Sequence, residues 1–223
     1  MKTLPYQRIL IIGNNGSGKS FLGKKLAETS DLPLIHLDAE YWQAETFAKV
    51  CHVSAVRRNS TTESADISSK IGKLSRSAFQ RNAPQDGILQ RSQADGTHPA
   101  KDAWQTRVQE LITEERWIIE GHYASTLAQR YARADLVIFL DISRLVCLAG
   151  IMRRFSKNRP DMPYRGADQI NAAFFRFLYA AWRFDRERKP QVMQLHRQYP
   201  EITLWILKNR RKIKQLIEHY KAA

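Results

Sequence analysis

Cysteine is almost missing from this chain: Cys51 and Cys147 are the only two among 223 residues. Two thiols are too few for a disulfide framework or for a four-cysteine zinc site, which excludes a stapled secreted scaffold and a zinc-bearing lid. Long apolar runs are missing as well. Nothing approaches the about 18 consecutive apolar residues that a membrane-spanning helix requires. The first apolar strand follows Met1 so closely that no signal peptide fits, and a cytoplasmic protein in a reducing compartment is the expectation. Acidic residues are scarce too, 22 against 36 Lys and Arg, for a formal net charge of +14. The shortage is local. Residues 1–45 balance at five basic and five acidic, 101–149 come to −1, and 150–223 carry 17 Lys/Arg against 6 Asp/Glu, or +11. That excess fits a nucleic-acid surface, arginines converging on a polyphosphate, or plainly solvated helix faces.

Against these absences stands one complete motif. Gly13-Asn14-Asn15-Gly16-Ser17-Gly18-Lys19-Ser20 has the form G-x-x-x-x-G-K-[ST]. Its glycines let the backbone curl so that successive N–H groups point at phosphate oxygens. Lys19 supplies a charge for the β- and γ-phosphates, and the Ser20 hydroxyl is suited to Mg²⁺. The flanks agree: Arg8-Ile9-Leu10-Ile11-Ile12 suits a buried parallel strand, and Phe21, Leu22 and Leu26 recur at helical spacing behind the loop. A helix N-terminus therefore faces the bound phosphate. ATP and Mg²⁺ are the expected cofactors.

Periodicity extends the pattern along the chain. Strands are expected near 7–12, 33–37, 117–119, 135–141 and 202–207, with helices near 19–29, 101–115, 124–133, 143–156, 167–188 and 210–221. Five apolar strands alternating with helices predict an α/β fold, a five-stranded parallel sheet with helices on both faces. Residues 46–98 interrupt it with eight Ser, four Thr and four Gln, and Phe47 and Phe79 are their only aromatics. That stretch reads as a disordered insertion or a functional lid, the former expected, with one short helix near 63–79. The domain is thus expected over 1–45 and 99–223.

The P-loop, His36-Leu37-Asp38 with Trp42, Trp117-Ile118-Ile119-Glu120-Gly121-His122-Tyr123 and Arg159-Pro160-Asp161-Met162-Pro163 together resemble the DNA topology modulation (FlaR-like) group of adenylate-kinase-related P-loop kinases. The resemblance covers about 1–45 and 100–221, and the insertion at 46–98 departs from it. It implies a Mg-ATP-dependent phosphotransferase acting on a nucleotide or another small molecule. It also implies roles. Glu120, at the end of the third strand, would hold Mg²⁺ with Ser20, or cap a helix. Asp38, at the carboxyl end of the second strand, would orient or deprotonate an acceptor hydroxyl, or stand solvated in a loop. A mobile lid over about 154–168 would bring at least two of Arg153, Arg154, Arg159 and Arg165 to the transferred phosphoryl group, whose equatorial oxygens match guanidinium forks. Arg210, in the loop before the last helix, would stack on adenine.

Other positions stay open on sequence alone. His36 reads as packed. Trp42 fits stacking on a base or closing the core, and Asp141 fits a Walker-B role or helix capping. Phe174, Phe175, Phe177, Tyr179, Trp182 and Phe184, interleaved with arginines, fit core building or base stacking. Asp38 to Glu45 hold no arginine of the kind a nucleoside monophosphate acceptor usually meets, which favours a hydroxyl-bearing or unusual acceptor. A nucleic-acid-associated ATP-binding protein and a regulator with little turnover are the alternative functions.

Overall fold

In the computed structural model, residues 5–41, 99–154 and 172–221 are described. Five strands, β1 Arg8–Gly13, β2 Leu34–His36, β3 Trp117–Glu120, β4 Leu136–Leu140 and β5 Thr203–Leu207, form one sheet in the order β2-β3-β1-β4-β5. Every pairing is parallel, with Ile11 opposite Glu120 on one side and Ile138 on the other. Parallel neighbours need crossovers, and the helices supply them: α1 Lys19–Ser30, α2 Pro99–Thr113, α3 Leu127–Arg133, α4 Arg144–Arg154, α5 Ala172–Glu187, α6 Lys189–Gln198 and α7 Arg210–Lys221.

Strand periodicity explains the two-sided core. Ile9 and Ile11 point to one face and pack with Leu22, Leu26, Ile213 and Ile217 from α1 and α7. Leu10 and Ile12 point to the other face, where Trp104, Val108, Tyr131, Val192 and Leu195 from α2, α3 and α6 cover them. All four β1 isoleucine and leucine side chains are fully buried, which is why the strand reads as a continuous apolar run rather than an alternating one. The doubly wound sheet expected from sequence is what the chain forms.

The differences are local. The long helix ends at Glu187, and a separate helix α6 follows, where the sequence reading stopped at 188. Pro190 lies in the first turn of α6 and so begins that helix instead of breaking it. The expected helix at 124–133 starts as a 3₁₀ turn, Ala124–Thr126. After β2 the chain enters a helical turn at 37–41 without a loop. The expectations for 46–98, Trp42, Arg159 and Arg165 fall outside the described residues.

Candidate active site

The phosphate-binding loop joins central strand β1 to α1 at the carboxyl edge of the sheet. Gly16 has φ 77°, a left-handed conformation, and a Cβ there would meet the Cys147 carbonyl oxygen of α4 at 2.2 Å. Only glycine fits. Gly150 of α4 presses from the other side, since its own added Cβ would stand 2.7 Å from the Gly16 carbonyl oxygen. The loop is therefore wedged against α4. Arg210 adds a brace, its Nη2 donating to the Gly16 and Val146 carbonyls at 3.2 and 3.4 Å. That is where the structure places the guanidinium proposed to meet adenine.

Inside the loop, Lys19 Nζ donates to the Gly13 and Asn14 carbonyls, both at 3.1 Å, which holds the ammonium over its own loop. Asn14 is buried and turns its side chain away from the phosphate position: Nδ2 donates to the Ala181 carbonyl of α5 at 2.7 Å, while Oδ1 accepts from the Asn15 N–H at 2.8 Å. Ser17 Oγ is buried with no hydrogen-bond partner among the described residues. A buried hydroxyl without a partner is costly, and an oxyanion in the loop would satisfy it.

Beside the loop lies a carboxylate the topology delivers. The β2–β3 register sets His36 directly opposite Glu120, and His36 Nδ1 lies 2.7 Å from Glu120 Oε1. Ser20 Oγ, in the first turn of α1, donates to the same oxygen at 3.0 Å. Glu120 is only 4% exposed. Burial alone would raise its carboxyl, but the His36 hydrogen bond, the Lys19 and His36 charges and the Ser20 hydroxyl outweigh it and hold the group below the ordinary carboxylate value. A hydroxyl and an ionised carboxylate side by side suit Mg²⁺, which takes one or two protein oxygens and leaves other positions to water and phosphate. No cluster of three or more His, Cys, Asp or Glu among the described residues offers a full cage for a metal ion.

The turn after β3 is held by a residue the sequence reading passed over. Arg130 of α3 is fully buried and donates to three successive carbonyls: Nη1 to Gly121 at 2.9 Å, and Nη2 to His122 at 2.6 Å and Tyr123 at 2.8 Å. Among the described residues no carboxylate pairs with it, and burial pushes its guanidinium down to about 9. The signal was in the sequence, since Arg130 falls on the same helical stripe as Leu127, Tyr131 and Ala134. Gly121, with φ 140°, and Tyr123, with φ 28°, make the turn that Arg130 clamps. His122 packs its ring edge-on to Phe184, centroids 4.8 Å apart, and neither ring nitrogen has a partner among the described residues.

Asp38 is half-buried on the helical turn after β2. Its neighbours are anchored: Glu40 Oε2 accepts from Arg107 Nε at 2.9 Å, and Tyr41 meets Trp104 edge-on and Tyr123 at a tilt, centroids 5.1 and 5.3 Å away. The acidic stretch thus meets an arginine after all, sent across from α2. Asp141 pairs with Lys189 Nζ at 2.7 Å, tying the end of β4 to the start of α6. Arg154 closes α4 on the surface, and its charge, with those of Lys19 and Arg210, acts on Cys147, whose thiol burial pushes up to about 11.

No protein-family model and no curated protein matches this chain. Solved structures similar in fold include the shikimate kinase from Acinetobacter baumannii in complex with shikimate, 15% identical over 96% of this chain and 90% of that one, TM-score 0.49. Those from Bacteroides thetaiotaomicron (16% identity, 97% of each chain, TM-score 0.49) and Aquifex aeolicus (15%, 96% of this chain and 94% of that one, TM-score 0.41) are also similar. The chemistry has to come from the residues.

Proposed function

We propose that the protein is a Mg-ATP-dependent phosphotransferase acting on a small molecule, in line with its resemblance to the FlaR-like branch of P-loop kinases. The observation that carries this reading is the convergence of Ser20, Glu120 and His36 beside Lys19 at the mouth of the loop. A protein that only grips a triphosphate needs the loop, but it does not need an ionised carboxylate buried against the loop serine. Ser20 and Glu120 would hold Mg²⁺, which would neutralise charge on the β- and γ-phosphates. The loop backbone, Ser17 and Lys19 would bind the phosphate chain.

In the transfer step, an acceptor hydroxyl oxygen bonds to the γ-phosphorus while the bond to the bridging oxygen breaks, and that electron pair leaves on ADP. The hydroxyl proton passes to a carboxylate, for which Asp38 stands at the right edge of the sheet. Lys19 and the guanidinium groups of Arg154, Arg159 and Arg165 would balance the spread charge on the γ-phosphoryl oxygens. Phe184 packs on His122, and Trp104 packs on Tyr123. Incubation with [γ-³²P]ATP, Mg²⁺ and a panel of hydroxyl-bearing metabolites and nucleotides tests the proposal. Label transfer to one class, lost in Glu120→Gln, is expected. ATP binding without transfer to any acceptor would leave a regulator instead.

A further inference from the structure

Helix α5 has two faces with opposite characters. Phe174, Ala181 and Phe184 lie on one stripe and are buried, with Ala181 bonded to Asn14 of the loop. At 100° per residue, Phe175, Tyr179, Trp182, Arg183 and Arg186 fall together on the opposite stripe. Phe175 and Tyr179 are 61% and 60% exposed and Trp182 is 40% exposed. Large aromatics standing in water on one stripe are uncommon unless something stacks on them. Guanidinium groups already sit on two of the rings: Arg144 of α4 lies 4.2 Å from the Trp182 centroid and Arg183 lies 5.5 Å from that of Tyr179. Arg144, Tyr179, Trp182, Arg183 and Arg186 line a concavity of about 460 Å³. Glu187 pairs with Arg183 at 2.7 Å, so three cations face one carboxylate along this lining.

We propose that this face of α5 binds single-stranded nucleic acid, by stacking of unpaired bases on Tyr179 and Trp182 with phosphates held by Arg144 and Arg186. The occupant must be anionic and offer flat apolar faces. The lining supplies guanidinium N–H groups, one phenol and one indole N–H, and no carboxamide or carboxylate; Glu187 beside it is already paired with Arg183. A site that stacks without reading edges suits a sequence-tolerant strand more than one chosen mononucleotide. A duplex keeps its bases stacked within itself and would leave the rings unused. A second copy of the chain would set arginines against arginines in a two-fold contact. The net charge of +11 over 150–223 adds long-range attraction for any polyanion.

The test is fluorescence anisotropy of a labelled single-stranded oligothymidylate of about 12 nucleotides with the full chain, across a range of salt. Binding that weakens as salt rises is expected. Tyr179→Ala and Trp182→Ala should each weaken it about tenfold, and Tyr179→Phe, which keeps the ring, should bind like the parent. Arg211→Ala with Lys214→Ala, two exposed charges on α7, should cost less than either aromatic change. Tyr179→Ala should bind Mg-ATP normally, which shows that it is folded. Four results would overturn the proposal: a duplex or polyglutamate competing as well as the single strand, phosphatidylserine vesicles bound in preference to the oligonucleotide, alanine variants binding like the parent, or no binding at low salt.

Discussion

Lys19 and Arg130 are both basic, yet the structure assigns them opposite duties. Lys19 rests on two carbonyls of its own loop, which under the proposed function it would exchange for phosphate oxygens. Lys19→Ala should leave the melting temperature of the nucleotide-free protein nearly unchanged while lowering turnover about a hundredfold or more, measured as phosphoryl transfer at saturating ATP. Arg130 is committed to structure. Its fork satisfies three carbonyls with no access to water, and a lysine has neither the reach nor the planar geometry to cover all three. Arg130→Lys should therefore destabilise the fold by about 2–3 kcal/mol in urea unfolding, from the buried Gly121 carbonyl and its half-buried neighbours left unpaired. A change below about 0.5 kcal/mol would mean that the turn after β3 is held by other contacts.

Between elements, the tightest constraint is the wedge of the loop against α4. Gly16→Ala places a methyl group into the Cys147 carbonyl and forces a left-handed backbone on alanine. The expected cost is about 2–3 kcal/mol of stability together with loss of ATP affinity, read by calorimetry and thermal unfolding on the same samples. At the other end of the sheet, Asp135 joins the starts of β1 and β4. Its carboxylate accepts from the Gln7 and Arg8 N–H groups and from the Arg8 guanidinium. Partial burial would raise the Asp135 carboxyl, but the Arg8 hydrogen bonds and charge overcome that and hold it below its ordinary value. A folded-state value below the unfolded one contributes stability above pH about 3.9, and that contribution is lost as pH falls through it. The pair is partly open to water, so the effect is small. Asp135→Asn should cost less than about 1 kcal/mol at pH 7, and its unfolding curves should approach those of the parent as pH falls and the Asp135 carboxyl takes up its proton.

For the molecule as a whole, the loop lies at the junction of β1, α1, α4, α5 and α7, through Cys147, Ala181 and Arg210. A ligand held there stabilises every element that meets it. Mg-ATP at a hundredfold excess over its dissociation constant should add about 2.7 kcal/mol to unfolding, several degrees in melting temperature for a domain of this size. Lys19→Ala should abolish most of that rise. If Mg-ATP shifts neither the parent nor the variant, the loop does not bind the nucleotide as proposed.

Short-range patterns were enough for the architecture and the phosphate loop. Ile9 to Ile12 and Leu136 to Leu140 are buried on both faces, so their apolar runs declare central strands without any partner in view. The loop motif is likewise local, because its eight residues are contiguous in the chain. What surrounds the loop was decided only in three dimensions. His36 meets Glu120 because parallel pairing sets residues 84 positions apart side by side, which strand periodicity cannot foresee. Asn14 reaches Ala181 and Arg210 reaches Gly16 across 167 and 194 residues, and nothing in either neighbourhood marks the partner. The helical stripe of Leu127, Arg130, Tyr131 and Ala134 marks Arg130 as inward-facing, but only the fold shows the three carbonyls that it meets. The aromatics of α5 divided in the same way: Phe174 and Phe184 went into the core while Phe175 and Tyr179 stayed in water. Sequence determined which elements form and that a phosphate chain has a cradle. Tertiary packing decided which side chains face it, since contact between distant segments depends on register and crossover and not on spacing along the chain.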